Sequence, residues 1–260
     1  MSDGEINARM PDDFERRRIG FEGVVNFRDL GGYPTASGLR TRWGRVFRSD
    51  ALSRLTAHDL VRFEALGICT VFDLRSDDER TRHPDPMASR QIPLESRVPR
   101  EEFTDGSALK TAIDAETRLL DVYLAVLETA GPLFGELFCA LADPASLPAV
   151  IHCAGGKDRT GLATALLLSW LGVDRPIVLD DYELTGRALT RERHREILER
   201  FVSTGMSNEA ALAFLEAPRW VMAAALDVLD KEYGGVEAYL RGRAATTSAT
   251  LEALRQNLLE

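Results

Sequence analysis

The sequence predicts an α/β domain, a central sheet flanked by helices, on three observations. Short runs rich in Val, Ile and Phe, bounded by Gly, Pro and Asp, alternate with helical periodicity through the first half of the chain. From Asp114 onward apolar residues recur almost continuously at helical spacing. One apolar run, 148–153, interrupts that helical half and ends at a pair of glycines, as a buried strand feeding into a helix does.

Residues 1–20 are polar and charged without periodicity and read as an arm. Runs 23–27 and 44–48 read as strands. Thr56 followed three residues later by Asp59 reads as a capping box opening a helix that Gly67 stops. A strand at 68–74 follows. The acidic run Asp77, Asp78, Glu79 comes after Ser76, and that Ser-x-x-Glu spacing reads as a helix cap and so as structural. After a strand at 91–94, helices are expected at 115–129 and at 132–142, the latter with Pro132 at its first position. The strand 148–153 leads into a helix at 160–171. Further helices are expected at 175–189, 191–202, 208–232 with an interruption at Pro218, 236–241 and 248–259. No Pro/Gly/Ser linker divides the chain, so 21–260 form one domain.

With 260 residues, 45% hydrophobic and 28% charged, the composition is that of a globular protein. A formal charge of −9 argues against nucleic acid or an anionic membrane as partner, so any anionic ligand needs a local positive site. Only Lys110, Lys157 and Lys231 among the 32 basic residues are lysine. The apolar stretch 161–173 carries Thr164 and Ser169 and falls short of the roughly 20 residues a bilayer requires, which excludes stable membrane insertion. Cys69, Cys139 and Cys153 cannot all pair, and the start has no apolar signal core, which points to a reducing, cytoplasmic setting. Neither the cysteines nor His58, His83, His152 and His194 fall at metal-ligand spacing; no metal or cofactor is expected.

A C-x5-R spacing can wrap one tetrahedral oxyanion, and it occurs twice. Cys69 and Arg75 lie along ICTVFDLR, an extended run without a glycine to turn it, which separates the two side chains. Cys153 and Arg159 lie along VIHCAGGKDRTG, where a strand meets Gly155 and Gly156 and then a helix. Glycines let successive N–H groups converge, and the helix start adds unpaired donors and a positive dipole end. Cys153 then faces a positive field as a nucleophile, Arg159 can hold two phosphoryl oxygens with its planar fork, and the Thr160 hydroxyl can ease departure of the sulfur. Ala154, Gly155, Gly156, Lys157 and Thr160 line the same cradle, Lys157 in reach of a second anionic group. His152 reads equally as a loop support and as a buried strand histidine.

The string HCAGGKDRTG resembles the phosphate-binding loop of the protein-tyrosine phosphatase superfamily. NFRDLGG, GRVFRSDALSRLT, LGICTVFDLRSDDER and EYGGVEAYL are similar to successive blocks of its bacterial tyrosine and lipid phosphatase family, so the resemblance runs from about Val24 to near the end. It implies a phosphatase-type α/β fold, metal-free hydrolysis of phosphate monoesters through a cysteinyl-phosphate, and a mobile helical lid, which falls on 190–218. Ala154 departs from the phenylalanine of the family's mycobacterial member. Substrates are then a phosphorylated protein, by way of phosphotyrosine, phosphoserine or phosphothreonine, or a phosphoinositide.

Hydrolysis in two steps needs a proton donor for the leaving alcohol and a base for water, and one carboxyl can serve both. The resemblance implicates the loop aspartate, Asp158. Asp73, at the carboxyl end of its strand where ligands of α/β folds bind, is the second candidate, with a tie to Arg75 as the competing reading. Asp85 in HPDP reads as a plain turn. Two other classes compete with the phosphatase: an idle phospho-ligand binding module, and arsenate or sulfur chemistry at the same cysteine.

Overall fold

The computed structural model describes residues 13–92, 108–188, 195, 198–199 and 201–260. Five strands form one sheet: β1 (Arg28–Asp29), β2 (Val46–Ser49), β3 (Thr70–Asp73), β4 (Arg90–Gln91) and β5 (Ala149–His152), in the order β1-β2-β5-β3-β4. Only β1 runs antiparallel. The central strand β5 is buried on both faces and alternates strictly. Val150 meets Phe47 and Val71 in a cluster with Phe21, Phe27 and Phe63, while Ala149 and Ile151 join Val46 and Phe72 in the larger core on the other face.

The smaller face is covered by α2 (Ala57–Ala65) and the segment before β1, the larger by α4 (Ala112–Thr129), α5 (Gly131–Leu141), α6 (Asp158–Trp170) and α7 (Arg175–Ala188). α1 (Asp13–Arg17) and α3 (Asp77–Arg82) are short, and α8 (Asn208–Leu215), α9 (Arg219–Tyr233), α10 (Val236–Gly242) and α11 (Ser248–Leu258) complete the chain. Because α6 is buried on nearly all sides, its sequence is apolar all round rather than striped. Pro218 caps α9, the interruption expected there, and both anticipated capping boxes, Thr56 with Asp59 and Ser76 with Glu79, are formed.

Run 23–27 is not a strand. The Asp59 carboxylate takes the N–H groups of Glu22 and Gly23, and Asp50 takes those of Val25 and Asn26, so this backbone is satisfied by side chains and packs as a buried loop. Pairing begins at Arg28. The end of the expected arm is folded: Arg17 of α1 is buried over the Tyr33 ring, 3.4 Å from its centroid. Residues 1–12, positions 93–94 of the expected fourth strand and most of the expected helix 191–202 lie outside the described residues.

Candidate active site

β5 ends at His152, Cys153 heads the turn, and α6 begins at Asp158, so five residues carry the chain from strand to helix N-terminus. Gly156 makes that turn with φ +64°, and a Cβ there would lie 2.4 Å from the Ser49 carbonyl oxygen. The loop carbonyls are gripped from outside. The Asn26 amide donates to both Gly155 and Gly156 at 3.2 Å, Arg48 donates to Gly156 at 2.7 Å, and the Ala51 N–H donates to Ala154 at 3.2 Å. Since C=O and N–H oppose each other across a trans peptide, holding the carbonyls outward turns the following N–H groups toward the cradle. Gly156→Ala is therefore expected to lower stability by about 2 kcal/mol and to reduce activity, read as the denaturation midpoint and kcat.

The grip itself rests on a buried ionic knot. Arg28 donates to the Asn26 side-chain oxygen, which fixes the amide's orientation, and through Nε to Asp181 of α7 at 3.1 Å. Arg48 donates to the other oxygen of Asp181, and the Tyr33 hydroxyl donates to Asp181 at 3.0 Å. Burial, together with the adjacent Arg48 charge, brings Arg28 down to about 10. Burial would raise the Asp181 carboxyl, but the two arginines outweigh it and hold it well below the usual carboxylate range.

Inside the loop, Cys153 is buried and free of any disulfide. The Thr160 hydroxyl is buried too and has no hydrogen-bond partner among the described residues, so it has a proton to give. Arg159 forms a two-pronged pair with Glu79, Nη1 to Oε2 at 2.6 Å and Nη2 to Oε1 at 2.8 Å, and Nη1 also reaches the Leu74 carbonyl at 3.3 Å. Of the five guanidinium N–H groups, Nε–H and one on Nη2 stay available among the described residues, and together they form one bidentate edge for an oxyanion. Burial would lower Arg159, yet the hydrogen bonds it donates to Glu79 and the charges of Cys153 and Glu79 raise it above its ordinary value. Burial acts to raise Glu79, and Arg159 reverses that and pulls it down to about 2. Glu79 was legible only as a cap, a job it also performs: its other contact needs the tertiary fold.

Asp158 opens α6 with a third of its side chain exposed. Its Oδ1 accepts from the Tyr123 hydroxyl at 2.7 Å and lies 3.3 Å from the Lys157 ammonium. Lys157 does not extend into open space: it donates to the carbonyls of Phe214 at 2.5 Å and Glu216 at 3.1 Å, at the C-terminal end of α8, where carbonyls lack helical partners and the dipole favours a cation. In the described part of 190–218, Leu198, Phe201, Met206, Ala210, Ala211, Ala213 and Phe214 pack with Leu109, Ala112 and Ala115 at the start of α4.

Asp73 sits at the end of β3, beside His152 in register, but its carboxylate is engaged by Arg75 through Nε at 2.9 Å, Nη2 at 2.7 Å and the backbone N–H at 3.0 Å. Burial would raise its carboxyl; Arg75 and then His152 bring it below its ordinary value. The same Nη2 reaches Asp85 at 2.6 Å, and His152 Nε2 is 3.2 Å from Asp85. Asp73, Asp85 and His152 present ligand atoms within 4.8 Å of one another, and Arg75 already supplies the neutralising cation there. In the decoy C-x5-R, Cys69 is exposed and Arg75 is committed to these aspartates.

Sequence reasoning named no role for Asn26, Arg28, Arg48, Asp181 or Tyr123. Arginines inside FRD and VFRS, each preceded by a phenylalanine in an apolar run, are a signal of buried charge; the tyrosine and Asp181 carry none.

Residues 19–260 match the family model described as "Tyrosine phosphatase family". A candidate tyrosine-protein phosphatase of Cupriavidus necator is 30% identical over 87% of this chain and 84% of its own length. The triple specificity protein phosphatase PtpB of Mycobacterium tuberculosis is 31% identical over 91% and 97%. The crystal structure of P. aeruginosa TpbA aligns with 68% of this chain and 89% of its own at 18% identity and a TM-score of 0.31.

Proposed function

The chain belongs to the tyrosine phosphatase family, whose members hydrolyse phosphoric monoesters, and from that premise we propose a two-step reaction through a phosphorylated Cys153. The observation that carries it is the Nε–Nη2 edge of Arg159, unpartnered among the described residues and set at the N-terminus of α6, across the loop from Cys153. The Cys153 sulfur attacks phosphorus and the P–O bond to the alcohol breaks. Arg159 and the loop N–H groups hold the equatorial oxygens, and Asp158 gives its proton to the departing oxygen. Asp158 then takes a proton from water, which attacks the phosphocysteine; the P–S bond breaks, the Thr160 hydroxyl bonds to the leaving sulfur, and inorganic phosphate is released. Asp73, fixed by Arg75, supports the strand end beside this loop.

Phosphotyrosine is the first substrate of this reading, with phosphoserine, phosphothreonine and phosphoinositides accepted also; the relative named a triple specificity phosphatase and the unobstructing Ala154 support that breadth. The setting is cytoplasmic. Among the described residues no single helix is long and apolar enough to cross a membrane. Phosphate release from p-nitrophenyl phosphate and from a phosphotyrosine peptide, phosphoserine peptide and phosphoinositide tests the reading, with vanadate as inhibitor. Binding without turnover would favour the idle module, and thiol-dependent arsenate consumption the redox alternative.

The segment 190–218 acts in this reading as a lid, with Lys157 as its latch. Hydrogen bonds from a charged donor contribute about 1.5–3 kcal/mol, so Lys157→Ala is expected to speed inactivation of Cys153 by peroxide roughly tenfold. An unchanged rate would mean that the segment is plain scaffold.

A further inference from the structure

Behind Asp158 lies a chain of hydroxyls. Tyr123, fully buried in α4, bonds to Asp158 Oδ1 at 2.7 Å, and its oxygen lies 2.8 Å from the hydroxyl of Tyr182 in α7. A tyrosine has one hydroxyl proton. Asp158 as a carboxylate can only accept, so the Tyr123 proton points to Asp158 and the Tyr182 proton to Tyr123, which gives the chain one direction. The rings meet edge to face with centroids 6.3 Å apart, and a Cβ on Gly161 of α6 would approach the Tyr182 ring to 3.1 Å, so packing holds the relay on both sides. Burial and then the Asp158 charge keep Tyr123 protonated far above neutrality, and it stays a donor throughout the working range.

We propose that Tyr123 is a positioning residue for proton transfer: by occupying Oδ1 of Asp158 it leaves Oδ2 as the oxygen that carries the proton to the leaving group and later receives one from water. This rests on Asp158 being the general acid. Both Tyr123 and the Lys157 ammonium converge on Oδ1, so the two carboxylate oxygens are already inequivalent before substrate arrives. Without that bond only the longer Lys157 contact marks Oδ1, the carboxyl samples both settings, and one of the two aims the proton away from the substrate.

The test compares leaving groups. General-acid help is worth about 10²- to 10⁴-fold and matters most for a poor leaving group, so Tyr123→Phe is expected to lose roughly tenfold in kcat on an alkyl phosphate and under twofold on p-nitrophenyl phosphate, at unchanged KM. The same substitution on an Asp158→Asn background is expected to add nothing. Tyr182→Phe, which frees the Tyr123 oxygen, is expected to show the pattern at smaller amplitude and serves as the readout if Tyr123→Phe does not fold. Equal losses on both substrates, additive losses in the double variant, or a Tyr182→Phe profile identical to wild type in that second case would overturn the proposal. Wild-type leaving-group dependence in Asp158→Asn alone would instead remove Asp158 as the acid, a distinct outcome.

Discussion

Cys153→Ser is expected to lose at least about 10³-fold in kcat while still binding phosphorylated ligands, because a hydroxyl fills the same buried volume but is a far weaker nucleophile. The position is 2% exposed at the end of the central strand, so the substitution changes reactivity without opening a cavity. Cys69→Ser makes the contrast. That thiol is exposed at the mouth of β3, 3.6 Å from the Gly67 carbonyl, and its loss is expected to leave turnover at the wild-type level. Single-turnover phosphate release and equilibrium binding separate the two effects. Reversed behaviour of the two variants would assign the chemistry to the other C-x5-R.

Arg159→Lys is expected to cost about 10²–10³ in kcat, since lysine can neither hold two phosphoryl oxygens in one plane nor keep the paired bonds to Glu79. Glu79→Gln is expected to cost roughly tenfold, because the guanidinium keeps its charge and loses only the partner that aims it. Glu79 also makes the fold acid-sensitive in a definite window. Its carboxyl is held at about 2 in the folded chain against an ordinary 4.5, so its contribution is fully present above 4.5 and is lost as pH falls from there toward 2. Denaturation followed by circular dichroism across that range is expected to show a shallower acid limb in Glu79→Gln; an unaltered limb would refute the coupling.

The central strand, the glycine turn and the helix after it were legible because each is a local statement: an apolar run that alternates between two buried faces, two residues without Cβ, and donors at a helix start. The capping boxes were legible for the same reason. The positions that hold the loop were not. Asn26 and Gly155 are 129 residues apart, and Arg28 and Asp181 are 153 apart, so no local pattern couples them. Glu79 had a sufficient local explanation in Ser76, which concealed its second partner. Run 23–27 has strand composition yet is claimed by the carboxylates of Asp50 and Asp59, a competition between side chain and ladder that composition does not express. The loop position of Lys157 is legible, while its bonds to the carbonyls at the end of α8 arise only in the tertiary fold.

The knot of Arg28, Arg48 and Asp181 has a further consequence for the life of the product. Two guanidiniums share the one Asp181 carboxylate beneath the loop, and Arg48 also holds the Gly156 carbonyl, so the floor of the site keeps two fixed cations close to the cradle. An oxyanion in the cradle lies above those cations, whichever oxyanion it is. Inorganic phosphate offers the loop the same tetrahedral oxyanion as a substrate's phosphoryl group, so competitive inhibition by added phosphate is expected, read as a rise in apparent KM at constant kcat.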